Sequence, residues 1–241
     1  MDLFEYQLDE HVAVMTMNSG ENRFTLTFLD AFLNILDEIE NQTAATVLVV
    51  KSADPKIWSN GIDLDWLTAT VSENPETGLE FSRRLMDLLR RVLTYPLITI
   101  ASINGHAFAG GAILACAFDF RFMRTDRGYF CFPEVDIHIP FMPGMDAIIK
   151  KALPGHLSLE AQLTGKRYTA AELEANKAVF KACHLDDLMK EVLSFAKTLN
   201  KGRNILKPIK EVGFKHILRV MDIDDPAYLQ ARRSASSGQG I

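Results

Sequence analysis

Cysteine is scarce in this 241-residue chain: Cys116, Cys131 and Cys183 are the three, far apart and each in an apolar run. No pair has metal-ligand spacing and an odd count supplies no disulfide framework, so buried free thiols in a reducing compartment are expected. Positive charge is also short. Lys and Arg number 26 against 31 Asp and Glu, a formal net charge of −5, which argues against a general nucleic-acid surface. No apolar run reaches membrane-spanning length, because Pro96 and polar residues interrupt the longest ones. The opening Met1-Asp-Leu-Phe-Glu5 lacks the basic-then-apolar pattern of a signal peptide, so a soluble, cytoplasmic protein is expected. Several catalytic motifs are missing as well. There is no G-x-G-x-x-G or Gly-Lys-Ser/Thr for nucleotide phosphates, no G-x-S-x-G nucleophile elbow and no H-E-x-x-H metal site.

What is present reads as an ordinary globular chain, 48% apolar and 24% charged, long enough for one substantial core with a small appended subdomain. Residues 3–8 and 11–17 alternate around Asp9-Glu10, predicting a hairpin. Phe28, Phe32, Ile35 and Ile39 fall on one face of a helix over 27–42, with Thr27 and Asp30 at capping-box spacing. Thr46-Val-Leu-Val-Val50 is a continuous apolar strand that needs cover on both sides, which favours a layered α/β arrangement. A polar, mobile stretch over 70–78 and a helix over 79–94 follow. Strand 97–101, a Gly-rich turn, helix 110–117 and strand 118–123 come next, then a stiff loop over 140–144. Beyond 145 the pattern is helical (145–152, 157–163, 169–176, 185–200 and 203–219), and the Ser/Gly-rich tail from Arg232 to Ile241 is expected to fray. Lys201, Arg203, Lys207 and Lys210 read as a solvated helix face.

Two backbone-shaping segments carry the chemistry: Trp58-Ser-Asn-Gly-Ile-Asp-Leu64 and Asn104-Gly-His-Ala-Phe-Ala-Gly-Gly111. Each places Gly where the main chain turns tightly or exposes N–H groups, and each precedes a helical run. Two such turns can aim two peptide donors at one oxygen, the geometry of an oxyanion hole. Gly110-Gly111 has two readings: close helix–strand packing, or a Gly110 N–H at a helix N-terminus facing developing negative charge. Asn60-Gly61 is a turn, Asp63 a helix cap, and Ile62 matters only through its N–H. A third segment, Tyr129-Phe-Cys-Phe-Pro-Glu-Val-Asp-Ile137, sets Glu134 among apolar neighbours, where a carboxylate is either salt-bridged or raised in pKa toward a useful base. His106 and His138 have no metal-binding partners at suitable spacing, so packing or hydrogen bonding is the default for both.

Taken together, these three segments, with Asp119-Phe-Arg121 between them, resemble the enoyl-CoA hydratase/isomerase (crotonase) superfamily over residues 1 to about 185. The resemblance implies an α/β fold, a crotonase-like β-β-α spiral over 1–184, with a C-terminal helical trimerisation region and flexible tail over 185–241. It implies acyl-CoA thioesters as substrates, no metal or cofactor beyond the CoA of the substrate, and assembly as homotrimers or dimers of trimers. By position, Ile62 and Gly110 are the oxyanion-hole donors. Lys56, Trp58, Ser59, Asn60, Ile62 and Leu64 form the CoA-binding loop, while Ile113, Phe132 and Ile137 line the acyl pocket. The chain also departs from the pattern. Family hydratases hold a water between two glutamates, and here the first of those positions is Ile113 while Glu134 remains. A lone carboxylate suits Δ3,Δ2-enoyl-CoA isomerisation, a proton moving from C2 to C4. Phe122-Met-Arg-Thr-Asp-Arg-Gly128 followed by Pro-Glu-Val-Asp-Ile also resembles the small plant-type isomerases, which are peroxisomal; a terminal Gln-Gly-Ile is no peroxisomal address. Hydration, decarboxylation or thioester hydrolysis, with Asp136 or His138 as a second polar group, is the alternative. A non-catalytic CoA-ester or RNA binder is the alternative outside enzymology.

Overall fold

The computed structural model describes residues 2–237. In chain order its elements are β1 (Phe4–Asp9), β2 (Val12–Met17), β3 (Arg23–Phe24), α1 (Leu26–Gln42), β4 (Val47–Ser52), β5 (Ile57–Ser59), β6 (Gly61–Ile62), α2 (Leu64–Glu73) and α3 (Glu76–Leu93). They continue with β7 (Ile98–Ile103), β8 (His106–Phe108), α4 (Gly110–Ala117), β9 (Phe120–Arg124), β10 (Phe130–Cys131) and a 3₁₀ turn at Pro133–Val135. The remainder is α5 (Pro143–Ala152), α6 (Gly155–Thr164), α7 (Ala170–Ala175), β11 (Lys181–Cys183), α8 (Leu185–Lys197), α9 (Arg203–Gly213) and α10 (Lys215–Ser237).

The largest sheet has six strands in the order β1-β2-β4-β7-β9-β11, antiparallel at the β1–β2 hairpin and parallel at every other pairing. Strand alternation divides its side chains between two cores. Leu48 and Val50 of β4 join Met15, Ala101 and Ile103 against α1, α3, α4 and α5. Val47 and Val49 face the other way and pack with Val12, Ile98, Ile100 and Phe122 against Leu188, Val192 and Ala196 of α8. The continuous apolar reading of β4 is thus met by helices on both faces. Two small parallel sheets, β10-β8-β5 and β3-β6, stand apart from this one and carry the glycine turns.

Four local expectations are corrected. The α1 cap is Thr25, not Thr27: Thr25 is extended (φ −116°, ψ 171°) and its hydroxyl accepts the Phe28 N–H at 3.2 Å, which places Thr27 inside the first turn. The polar stretch 70–78 is mostly helical. Thr70 and Ser72 donate their hydroxyls to the Trp66 and Thr68 carbonyls of their own helix, and α3 already begins at Glu76. Residues 203–219 form two helices rather than one, separated at Phe214, whose N–H bonds back to the Lys210 carbonyl at 2.8 Å. The tail expected to fray from Arg232 is helical to Ser237, with Arg233 ion-paired to Glu76 of α3; residues 238–241 lie outside the described part.

The basic face expected on residues 201–210 is also partly internal. Arg203 donates to the carbonyls of Glu40, Thr43 and Ala45, and the Lys210 ammonium is buried against Asp119 and the Leu97 carbonyl. Among the described residues, no helix is long and apolar enough to cross a membrane.

Candidate active site

The first glycine turn is held from below by a buried polar knot. Asn22 donates its side-chain amide to Ser52 Oγ at 2.8 Å and to the Trp58 carbonyl at 2.9 Å. Ser59 Oγ donates to the Asn22 carbonyl at 2.8 Å and accepts the Gly61 N–H at 3.1 Å. Asn104, which opens the second segment, donates to the carbonyls of Ser52 and Asp54 and accepts the Ser52 N–H. The two segments are therefore tied together through the 52–59 stretch.

Above that knot the turns touch. Gly61 adopts φ +72°, and a Cβ there would lie 2.5 Å from the Gly110 nitrogen. Asp63 N–H donates to the Phe24 carbonyl at 3.1 Å, so alternation along β6 turns the Ile62 N–H to the opposite edge, away from β3. Asp63 also caps α2 as expected, accepting the Trp66 N–H at 3.0 Å. The peptide preceding Gly110 is set by Ala109, whose φ of 50° and ψ of −127° lie in a region that L-residues rarely occupy.

Behind Gly110, all eight residues of α4 are buried. Its C-terminal carbonyls are met by buried donors: Lys151 Nζ, whose pKa burial lowers to about 7, donates to Cys116, Ala117 and Phe118, and the Arg121 guanidinium to Ala115 and Phe118. The negative end of the helix dipole is thus compensated inside the protein, while the positive end at Gly110 opens on a cavity.

That cavity measures about 990 Å³. Asn60, Ile62, Leu64, Gly110, Ile113, Glu134 and Ile137 all line it, so the structure brings these expected site residues together. Glu134 sits in the 3₁₀ turn, 7% exposed, and its Oε2 is buried without a hydrogen-bond partner. Loss of water around the carboxylate pushes its pKa up to about 7. Among the described residues lining the cavity, Glu76 is the one other carboxylate, and it is ion-paired to Arg233.

Other expected residues stand elsewhere. The Trp58 side chain is fully buried, with its indole N–H on the Val50 carbonyl, and Ser59 is consumed by the polar knot. Lys56 is exposed and outside the cavity wall. Phe132 is fully buried between Phe130 and Phe141, backing the wall rather than lining it. Asp136 and His138, weighed as second polar groups, do not line this cavity; His138 lines an adjoining depression that Glu134 also lines.

Several wall residues had no local signal in the sequence. Leu67, Val71, Phe81 and Leu85 come from α2 and α3, Phe141 and Met145 from the start of α5, and Tyr228 and Leu229 from α10. Arg23, Arg232 and Arg233 also line the cavity. Only the packing of distant helices brings them to one wall.

Comparison with known proteins supplies a family. Residues 7–227 match the model of the enoyl-CoA hydratase/isomerase family. The chain is 26% identical to enoyl-CoA delta isomerase 3 of Arabidopsis thaliana over 209 residues, covering 84% of this chain and 88% of that protein. It is 30% identical to the peroxisomal enoyl-CoA delta isomerase 1 of the same plant over 161 residues, covering 66% and 64%. Among solved structures, an enoyl-CoA hydratase/isomerase family protein from Pseudomonas syringae superposes with a TM-score of 0.86 at 25% identity, covering 95% of this chain and 97% of that one. An enoyl-CoA hydratase from Mycobacterium marinum gives 0.83 at 20% identity, with 93% and 96% covered, and extends the agreement in fold. The α/β spiral fold and the glycine-turn motifs together make this chain a member of the enoyl-CoA hydratase/isomerase family.

Proposed function

We propose that the chain is an acyl-CoA-processing enzyme whose reaction is Δ3,Δ2-enoyl-CoA isomerisation. The observation that carries the reading is Glu134: one buried carboxylate whose Oε2 has no hydrogen-bond partner, on the same cavity as the Ile62 and Gly110 turns, with Ile113 lining that cavity at the position where, by the family resemblance, a hydratase carries a second carboxylate. The thioester oxygen of a 3-enoyl-CoA accepts from the Ile62 and Gly110 N–H groups. Glu134 removes a proton from C2, and the electron pair of that C–H bond delocalises into a dienolate from the thioester oxygen to C4. The same carboxyl then returns the proton to C4, leaving the double bond between C2 and C3. Each oxyanion donor is expected to supply about 10²–10³ in rate. A pKa of about 7 keeps a useful share of Glu134 ionised at neutral pH while leaving it basic enough to take the proton.

The names of the Arabidopsis relatives support the same reaction. Hydration is the second reading; it requires a polar group opposite Glu134, a place held by apolar Ile113. Ile205, Ile209 and Val212 of α9 are 54%, 59% and 76% exposed, an apolar row that supports the assembly into trimers or dimers of trimers that the family resemblance implies.

The test is a coupled absorbance and mass assay on 3-enoyl-CoA and, separately, on 2-enoyl-CoA in water. Conjugation of the first without mass gain is the expected result. Addition of water to the second, with the first untouched, would replace isomerase by hydratase.

A further inference from the structure

One wall of the cavity carries a polar group that the proton transfer does not use. His106 and Phe108 lie two apart on β8 and Ile57 of β5 pairs with His106, so the three share the face of the small sheet that lines the cavity, while Ala107 between them is buried. The imidazole is held on three sides. It meets Phe108 edge-on at a centroid distance of 5.0 Å and Tyr129 at 5.8 Å, and its Nδ1 accepts the Tyr129 backbone N–H at 3.2 Å. An accepting Nδ1 puts the ring proton on Nε2, which is then a donor. Burial, together with the positive charges of Arg167 and Arg127, holds the pKa of His106 below the usual histidine value and keeps the ring neutral near pH 7.

Position along the strand gives this donor a ligand. Gly110 marks the thioester end, and Ile113 of the acyl side follows it in α4. His106 precedes Gly110 by four residues, on the strand that leads through the Ala109 turn into α4, and both positions line the cavity. A thioester docked at Gly110 therefore shares its cavity wall with this ring.

We propose that His106 Nε2–H donates a hydrogen bond to an amide carbonyl of the pantetheine arm and so fixes how far the thioester slides into the cavity. This rests on the acyl-CoA reading above. A neutral ring between Ile57 and Phe108 suits an uncharged amide oxygen; the positive charge nearby belongs to Arg167 and Arg127, which a phosphate would meet in preference to the ring. His106 is therefore a positioning residue, acting on where the thioester sits and not on the transferred proton.

The decisive experiment is calorimetric binding of butyryl-CoA and of S-butyryl-pantetheine, two saturated esters with no double bond to move. Wild type, His106→Phe and His106→Gln are compared, with steady-state kinetics on a 3-enoyl-CoA alongside. His106→Phe is expected to weaken both ligands by a similar three- to tenfold factor (roughly one net hydrogen bond), raising KM and, because the thioester then sits less well against the donors, lowering kcat as well. His106→Gln retains a donor and is expected to recover most of the loss. Unchanged affinity in His106→Phe would overturn the inference. So would equal weakening by both variants, which would mark a packing role, and so would a loss seen with butyryl-CoA but not with the pantetheine ester, which would move the contact to the nucleotide half. Failure of the wild type to bind butyryl-CoA would overturn the acyl-CoA reading and this inference with it, whereas the other outcomes bear on His106 alone.

Discussion

Gly61 and Gly110 are packed backbone against backbone, so close that a single added Cβ on Gly61 would fall 2.5 Å from the Gly110 amide nitrogen. The two peptide donors proposed to share one thioester oxygen are thus positioned by one contact rather than by two independent loops. Gly61→Ala adds that clash to an unfavourable φ of +72°. Both turns would have to move, and turnover is expected to fall by about 10²–10³ or more. Gly110→Ala is the milder companion: its Cβ would meet the edge of the Phe24 ring at 3.1 Å and the Gly61 Cα at 3.3 Å, contacts that a small shift relieves. Comparing kcat/KM in the two variants checks this ranking: a loss in Gly110→Ala as large as in Gly61→Ala would overturn it.

Glu134→Gln is expected to reduce isomerisation by at least about 10²–10⁴ while CoA-ester binding survives. It also makes a stability prediction of opposite sign. A carboxyl raised to about 7 in the folded chain, from an ordinary 4.5, binds more protons folded than unfolded between those values. Its contribution therefore becomes unfavourable as pH rises through that window and is fully unfavourable above 7. The Gln variant is expected to melt higher than wild type at pH 8, by about 1–3 kcal/mol, and to show little difference at pH 4. Parallel melting curves at both pH values decide it.

Activity should follow the ionisation of the same group. A base must be deprotonated in the free enzyme, so kcat/KM is expected to rise with pH through about 7 and then level off. A profile flat from pH 5 to 8 would exclude Glu134 as the base.

Ala109→Gly separates stability from activity. Glycine relieves a backbone conformation costing about 1–3 kcal/mol for an L-residue, partly offset by about 0.4–1 kcal/mol of added unfolded-state entropy. The variant is expected to be at least as stable as wild type but slower, because the peptide presenting the Gly110 N–H loses its restraint. Denaturant midpoints and kcat measured on one preparation test both halves.

Lys151→Met removes a donor shared by three carbonyls at the buried end of α4. A loss of about 1–3 kcal/mol in denaturant unfolding is expected, because the carbonyls cannot reach water in its place.

Much of this architecture is visible in the amino-acid order, and the remainder has a physical reason for being hidden. The β1–β2 hairpin, α1 and β4 announce themselves through periodicity, since each has a local pattern that its packing reinforces. The glycine turns and Glu134 are legible as a spaced motif. A motif does not say which way each of its residues faces. Ile57 and Trp58 are neighbours on β5, yet one lines the cavity and the other is locked in the core by alternation. Phe132 likewise lies beside the Glu134 turn but faces inward. Residues 70–78 look like a loop because Thr and Ser weaken helix propensity, and only their hydroxyl bonds to the helix's own carbonyls show otherwise. The α10 wall has no signature at all. It depends on Asp225 of that helix accepting the Gly144 N–H at the start of α5, and on Arg233 meeting Glu76.

The cavity draws on residues from Arg23 to Arg233, so its walls are contributed by segments 210 positions apart. No contiguous fragment shorter than residues 23–233 contains the whole of it, and a chain lacking the docked last helix would present an open trough. A thioester bound there would clamp early and late parts of the chain at once, stabilising the whole fold with the logarithm of one plus ligand concentration over Kd. Long-range closure of this kind is slow to form. Binding competence is thus a late event in folding, and recovery of ligand affinity after dilution from denaturant reports completion of the native structure more faithfully than recovery of helix content.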